Sequence, residues 1–448
     1  MATRIVLIGA GSAQFGFDML GDIYQSKALE GCEVVLHDID AAALERVRQA
    51  GQAFIDEHGL QVELSATLSR PDALAGADFC VIAIEVGDRF ALWEQDQNVP
   101  RQYGFQQVFG ENGGPGGIFH SLRVVPPILE ICADVQRICP DAWVFNYSNP
   151  MSRICTTVHR AYPDLHFVGL CHEIESLYQH LPLILDTPLS NLSFRAGGLN
   201  HFSVLTEASY RDTGKDAYPE ILAKAADYFE RLPDLGSIMK HLFAQQAGST
   251  PGSEPALREG ASAWAERGTF RVLLEKFHCL PITTDSHIGE YLQWAPEAAD
   301  HKAVLDFYTY YKRWILRADP QIKTTRSERF VKIVEGMLLD ERYEEAAVNI
   351  PNAGHIEQLP GFMVVEVPAW VDARGIEGIR VDVPRAFAGL LTNQIGVHDL
   401  LAQAILDGSK DLVVQSILVD PTVDRVAAVE PLVDSMISLQ PDYLGYLS

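Results

Sequence analysis

Cys171-His172-Glu173 sets a thiol, an imidazole and a carboxylate side by side, directly after the strand-like run His166–Leu170. All three are expected to project into one crevice. Further along, Gly197-Gly198-Leu199-Asn200-His201-Phe202 brings a second imidazole beside a glycine pair. A thiolate at Cys171 and an imidazole at His201 suit one divalent ion, with positions left open for substrate oxygens. The spacing is no metal motif in itself, and a buried Cys with a hydrogen-bonded His is the plainer reading of spacing alone. A different chemistry is written near the amino terminus. Gly9-Ala10-Gly11-Ser12 follows a strand and opens a helix, so its backbone N–H groups can approach a pyrophosphate at the helix start. Gln14 stands where the usual third glycine falls, which leaves the fingerprint incomplete. Its support is Asp38, at the end of the next predicted strand. A carboxylate there accepts from a ribose 2′-OH and repels a 2′-phosphate, favouring NAD over NADP.

The elements that must position these groups alternate through the first 170 residues. Arg4–Ile8, Glu33–Asp38, Phe79–Glu85, Trp143–Ser148 and His166–Leu170 read as strands. Helical patterns at Phe15–Ser26, Ala41–His58 and Phe119–Ile138 separate them, the last with a kink expected at Pro126–Pro127. Buried strands alternating with helices predict an α/β fold: a Rossmann-type, doubly wound parallel sheet covered on both faces, as in lactate and malate dehydrogenases. Asn149-Pro150 ends a later strand, on the side of the cleft where such sheets bind ligands. After about residue 190 the rhythm changes. Leu192–Tyr210 reads as a strand pair, long helical segments follow, and Val348–Val371 returns to strand and turn. The expected division is an NAD-binding domain over residues 1–195 and an α+β catalytic domain over 196–448. Gly248–Gly260, rich in Gly, Ser and Pro, reads as a surface loop.

The 448 residues carry 35 Lys+Arg against 60 Asp+Glu, a formal net charge of −25. That field repels phosphate backbones and anionic lipid, and so argues against nucleic acid or a membrane surface as partner. No apolar run approaches the roughly 18–20 residues of a membrane span. Seven cysteines, an odd number without a C-x-x-C pair, argue against a disulfide framework and for a reducing cytoplasm.

Taken together, Gly9–Ser12, Gly110-Glu111-Asn112-Gly113-Gly114-Pro115-Gly116-Gly117-Ile118-Phe119, Asn149-Pro150, Cys171-His172-Glu173 and Gly198-Leu199-Asn200-His201 resemble glycoside hydrolase family four. This NAD-dependent family stands outside two-carboxylate glycoside hydrolysis. Asp285-Ser286-His287-Ile288-Gly289-Glu290-Tyr291, Asn352-Ala353-Gly354-His355-Ile356 and Val365-Glu366-Val367-Pro368 extend the resemblance over most of the chain, in the family's order. The resemblance implies NAD+ and a divalent metal, usually Mn2+, and cleavage by transient oxidation. Hydride leaves sugar C3, a base takes the acidified C2 proton, the aglycone is eliminated, water adds at C1 and the steps reverse. By family position, Cys171 and His201 are the metal ligands and Asn149 is a partner for a substrate hydroxyl. Asp285 is expected as the C2 base, with Tyr291 in reserve, and either Glu111 or His172 as leaving-group acid.

Cys-His-Glu resembles the unphosphorylated α-glucosidase and α-galactosidase side of the family, so the expected small carbohydrate substrate is an α-glucoside or α-galactoside. Ala13-Gln14-Phe15-Gly16 with Leu20-Gly21-Asp22-Ile23 also resembles the α-galacturonidase branch. A uronate needs a cation, and Arg89, Arg101, Arg123 and Arg153 lie near motif segments. The rival readings are a sugar or hydroxy-acid dehydrogenase and a non-catalytic NAD-binding regulator. The regulator has no need of Cys171, His201 and a cleft acid together. Family members form dimers or tetramers, which makes a homodimer or homotetramer the expected assembly.

Overall fold

The computed structural model describes residues 2–12, 15–232, 267–317, 321–323, 326 and 328–448; the Gly248–Gly260 segment read as a loop lies outside them. Six strands, β1 (Arg4–Ile8), β2 (Glu33–His37), β3 (Glu63–Thr67), β4 (Phe79–Ile82), β5 (Trp143–Asn146) and β6 (His166–Gly169), run parallel in the order β3-β2-β1-β4-β5-β6. Their apolar residues face both ways. Ile5 and Leu7 enter one core, and Val6 and Ile8 enter the other, on the opposite face of the sheet. A parallel sheet requires this double burial, because its crossovers lay helices on both faces. The helices of this half are α1 (Phe15–Tyr24), α2 (Ala41–His58), α3 (Arg70–Leu74), α4 (Arg89–Gln102), α5 (Gly114–Ile138) and α6 (Met151–Ala161).

Boundaries follow local chemistry. Asp40 caps α2 by accepting from Ala42 and Ala43 N–H groups, and Gly59 ends it in the left-handed conformation. The α5 helix begins at Gly114, earlier than the Phe119 start expected from hydrophobic periodicity, because the glycine run itself coils into the first turn.

The second half extends the same sheet. β7 (Leu192–Leu199) and β8 (Phe202–Tyr210) form a hairpin, and β9 (Tyr343–Pro351), β10 (Val364–Asp372) and β11 (Gly375–Gly378) return much later in the chain. From β6 the order continues β9-β10-β7-β8, with β11 on β10, to give eleven strands. The junction is antiparallel, where Gly169 of β6 faces Asn349 of β9. Helix Ile395–Asp407 packs back onto α5 and α6, Lys410–Leu418 onto α5 and Val426–Leu439 onto α4, completing the second core. Among the described residues, no helix is long and apolar enough to cross a membrane. All seven cysteines are free.

The strand order reverses between β1 and β4, which opens a crevice at the carboxyl ends of the strands. A buried ion pair ties the carboxyl-terminal helices to this core. Arg123 of α5 donates to Asp96 of α4 at 2.6 and 3.2 Å and to Gln440 at 2.8 Å. Asp96→Ala removes the counter-charge and leaves the guanidinium buried. The expected cost is about 3–5 kcal/mol, read as a lower urea midpoint at unchanged slope. A midpoint equal to that of the wild type would show that the pair is dispensable.

Candidate functional site

The glycine turn after β1 is held tightly against the neighbouring strands. Gly9 has φ +85° and donates to the His37 carbonyl at 2.9 Å. A Cβ here would meet the Ala83 carbonyl oxygen at 2.2 Å, so only glycine lets β1 and β4 close on each other at the crevice floor. Gly11 N–H donates to Asp38 Oδ2 at 2.7 Å, and Asp40 N–H donates to Oδ1 at 2.9 Å. The structure thus joins Gly9, Gly11 and Asp38, with Ser12 next in the turn.

Cys171 follows β6 in extended conformation, and His172–Ile174 make a short 3₁₀ turn. His201 lies in the two-residue turn between β7 and β8 with φ +62°, a left-handed conformation costing a non-glycine residue about 1 kcal/mol. The two elements bring Cys171 Sγ to 3.6 Å from His201 Nε2. Glu173 joins them, with Oε1 at 3.8 Å from the same nitrogen. One ligand atom from each of Cys171, Glu173 and His201 lies within 4.8 Å of the others. Behind this group, Glu173 Oε1 accepts from Thr283 Oγ1 at 2.9 Å and pairs with His287 Nδ1. The His287 ring stacks on His201 at 4.1 Å and 10°. Burial holds the His201 imidazole neutral, down to about 4, and pushes the Cys171 thiol up. A thiol, a neutral imidazole and a carboxylate converging at these distances fit a divalent cation, which would draw the thiol proton off.

The turn carrying His201 is fixed from below. Buried Glu366 of β10 accepts from Asn200 Nδ2 at 2.9 Å, Asn349 Nδ2 at 3.0 Å and Ser203 Oγ at 3.0 Å. Asn200 N–H donates to Ser152 Oγ of α6 at 2.9 Å. The α6 helix starts just after Asn149, whose Oδ1 is enclosed and has no hydrogen-bond partner among the described residues. Asn149, Cys171 and His201 are thereby tied to one frame.

Glu111 sits in a loop gripped by another buried acid. Glu290 accepts from Glu111 N–H at 2.5 Å and from Asn112 N–H at 3.0 Å. Burial raises Glu290 to about 7, and Glu111 adds to the rise. The Glu111 carboxylate lies 3.5 Å from Arg89 and is an electrostatic neighbour of both His201 and His287. His172, by contrast, is exposed.

Asp285 does not join the group. Its two oxygens accept from Thr269 and Phe270 N–H groups, both at 2.9 Å, at the start of helix Gly268–Phe277. The residue is fully enclosed, and burial lifts its carboxyl to about 7. Its position is that of a helix cap, at odds with the base expected from the sequence. Tyr291 stacks on Phe202, and its hydroxyl reaches the Asn200 carbonyl at 3.4 Å, beside His201. Sequence reasoning assigned no role to Glu173, His287, Glu290 or Glu366. Each stands inside a motif already quoted, but its partner lies elsewhere in the chain.

The glycine turn after β1 and the thiol–imidazole–carboxylate group after β6 stand at the same carboxyl-terminal edge of the parallel sheet. The profile of family 4 glycosyl hydrolases matches residues 4–186, and that of the family 4 glycosyl hydrolase C-terminal domain matches residues 196–423. The chain belongs to glycosyl hydrolase family 4. It is 56% identical over 452 residues to an alpha-glucosidase of Erwinia rhapontici, covering all of both chains. It is 27% identical to an alpha-galactosidase of Bacillus subtilis, over 98% of this chain and 99% of that one. A 6-phospho-alpha-glucosidase from gut microorganisms, solved in complex with NAD and Mn2+, superposes with a TM-score of 0.74 at 19% identity, over 98% of both chains. The protein is a glycoside hydrolase.

Two expectations follow from the geometry. Asp38→Ala should weaken NAD+ roughly tenfold and narrow its advantage over NADP+, because the proposed ribose partner and the charge against a 2′-phosphate are both lost. Fluorescence titration with each cofactor checks this, and an unchanged ratio would take Asp38 out of the site. Asp285→Ala should cost about 1–2 kcal/mol of stability through the lost helix cap, while Asp285→Asn keeps turnover. Thermal melts and rates measured together test the pair. Full stability in Asp285→Ala, with turnover abolished in Asp285→Asn, would return Asp285 to the role of base.

Proposed function

We propose that the chain hydrolyses unphosphorylated α-glucosides, using bound NAD+ and a divalent ion such as Mn2+. The carrying observation is the Cys171–His201 pair at the same carboxyl-terminal edge of the parallel sheet as the Gly9–Asp38 turn. A direct-displacement glycosidase needs two facing carboxylates and neither of these features. When bound, NAD+ supplies a hydride acceptor and the metal a Lewis acid for the sugar oxygens.

The chain's residues do the rest. The backbone of Gly9–Ser12 receives the pyrophosphate and Asp38 the adenosine ribose. Cys171 and His201 hold the metal, and Asn149 Oδ1 accepts from a sugar hydroxyl. Glu111, enclosed and an electrostatic neighbour of both His201 and His287, is favoured as the leaving-group acid over the exposed His172. With Asp285 committed to a helix end, Tyr291 is the reserve candidate for the C2 base, its hydroxyl close to the Asn200–His201 turn but its phenol pushed up by burial.

A neutral sugar is favoured over a phosphorylated or uronic one. Arg123 is committed to Asp96 and Gln440, and Arg101 donates to the Gln107 carbonyl at 2.9 Å. Arg89 stands between Glu85 and Glu111, while Arg153 is enclosed 3.9 Å from Asp420 with guanidinium nitrogens that meet no hydrogen-bond partner among the described residues. The 56% identical alpha-glucosidase supports glucose over galactose. Free cysteines suit a reducing cytoplasm. Exposed Val426, Leu439 and Val419 on the carboxyl-terminal helices suit burial in a homo-oligomer with an even number of subunits.

The test is an aryl α-glucoside with NAD+, Mn2+ and thiol in D2O. Phenol should be released without net NADH, and the glucose should carry deuterium at C2, because the C2–H bond must break on this route and never breaks in direct displacement. Stoichiometric NADH would point to a dehydrogenase. Glucose without C2 deuterium would overturn the route even if turnover occurred.

A further inference from the structure

The function proposed above asks two protein ligands, Cys171 and His201, to hold the metal. We propose that Glu173 is a third, so that this chain holds its divalent ion with a thiolate, an imidazole and a carboxylate before any sugar arrives. The inference rests on the metal reading and adds a ligand to it.

Distance is the first support. Ligands bound to one ion by bonds of about 2.0–2.4 Å stand about 3–4 Å apart. Cys171 Sγ and His201 Nε2 are 3.6 Å apart, and His201 Nε2 and Glu173 Oε1 are 3.8 Å apart. Local backbone supplies the second. Cys171 is extended and the 3₁₀ turn begins at His172, which turns residues 171 and 173 toward the cleft and leaves His172 exposed. The Cys-x-Glu spacing therefore delivers two ligands from one strand end.

Hydrogen bonding is the third. Thr283 and His287 both engage Oε1 of Glu173, while Oε2 is enclosed and has no partner among the described residues. If the carboxylate served only to orient His287, its second oxygen would be expected to meet a donor as well, as buried polar atoms generally do. A carboxylate clamped by Thr283 and His287, with a second enclosed oxygen that no donor among the described residues meets, is built as a ligand with its outer support in place. Charge is the fourth. A thiolate and a carboxylate match the two charges of a divalent cation, whereas Cys171 alone among the two-ligand set matches one. The added oxygen also makes the donor set harder, moving it from the thiolate–imidazole pair that suits zinc toward one that accepts manganese.

The test begins with wild-type crystals grown with Mn2+ and without NAD+ or sugar, with the ion placed by anomalous scattering. The expected result is Mn2+ on Cys171 Sγ, His201 Nε2 and a Glu173 oxygen, the last at about 2.2 Å. In solution, Mn2+ binding followed by electron paramagnetic resonance should weaken more than roughly 100-fold in Glu173→Gln. It should weaken only about tenfold in His287→Gln, which removes the clamp and keeps the carboxylate. An ion on Cys171 and His201 with both Glu173 oxygens beyond 3 Å would overturn the third ligand and leave the proposed function standing. Wild-type Mn2+ affinity in Glu173→Gln would do the same. If Mn2+ does not bind at Cys171 and His201 at all, the metal reading itself is wrong.

Discussion

A single buried carboxylate sets the distance on which the cleft depends. Glu366 sits on β10 and accepts from the turn that carries His201, from Ser203 at the start of β8 and from Asn349 on β9. Asn349 in turn faces Gly169, two residues before Cys171. The two proposed metal ligands are thus held against the same carboxylate, one through Asn200 and one through the β9–β6 pairing. Burial raises Glu366 above the usual carboxylate range, and three donors oppose that rise. The arrangement has the character of a satisfied polar network in an apolar sheet: rigid when complete, and costly to leave partly unmade. It also keeps His201 in a backbone conformation that a loose loop would relax away from.

Much of the parallel sheet was legible in the sequence. Runs such as Arg4–Ile8 and Phe79–Ile82 are buried on both faces and bounded by turn residues, so their hydrophobicity reports their structure directly. The strand that escaped notice, Glu63–Thr67, lies at the edge, half-exposed, with Glu, Ser and Thr among its five residues. An edge strand has less apolar surface to hide and shows correspondingly less in its composition. The site divides in the same way. Gly9, Gly11 and Asp38 are close in sequence and joined by direct bonds, so a local pattern finds them. Cys171 and His201 needed the resemblance of several motifs in order. Asp285 shows what such reasoning does not see, because its motif is local while its partners are the N–H groups of Thr269 and Phe270 on another helix. Nothing in Asp285-Ser286-His287 announces that helix.

The acidity of the chain takes on a local meaning at the cleft. Glu111, Glu173, Glu290 and Glu366 all stand in its walls, and three of them are almost wholly enclosed. Each is answered differently: Glu290 by backbone N–H groups, Glu366 by amides and a hydroxyl, Glu173 by Thr283 and His287, and Glu111 by Arg89. The carboxylates that grip loops and turns are saturated with donors. Glu173 alone keeps an enclosed oxygen without one among the described residues. The difference separates acids that hold the cleft together from an acid left over for a ligand.

The continuity of the sheet also bears on how the chain is made. Gly169 of β6 pairs with Asn349 of β9, 180 residues later. At about 5–20 residues per second on the ribosome, β6 is synthesised about 10–35 s before the strand that will cover it. Throughout that interval the amino-terminal half can wind its helices and close its core, yet it presents a bare strand flank, a template on which other chains can pair. During translation, then, the half that holds the parallel sheet is complete while the strand that borders β6 has yet to be made.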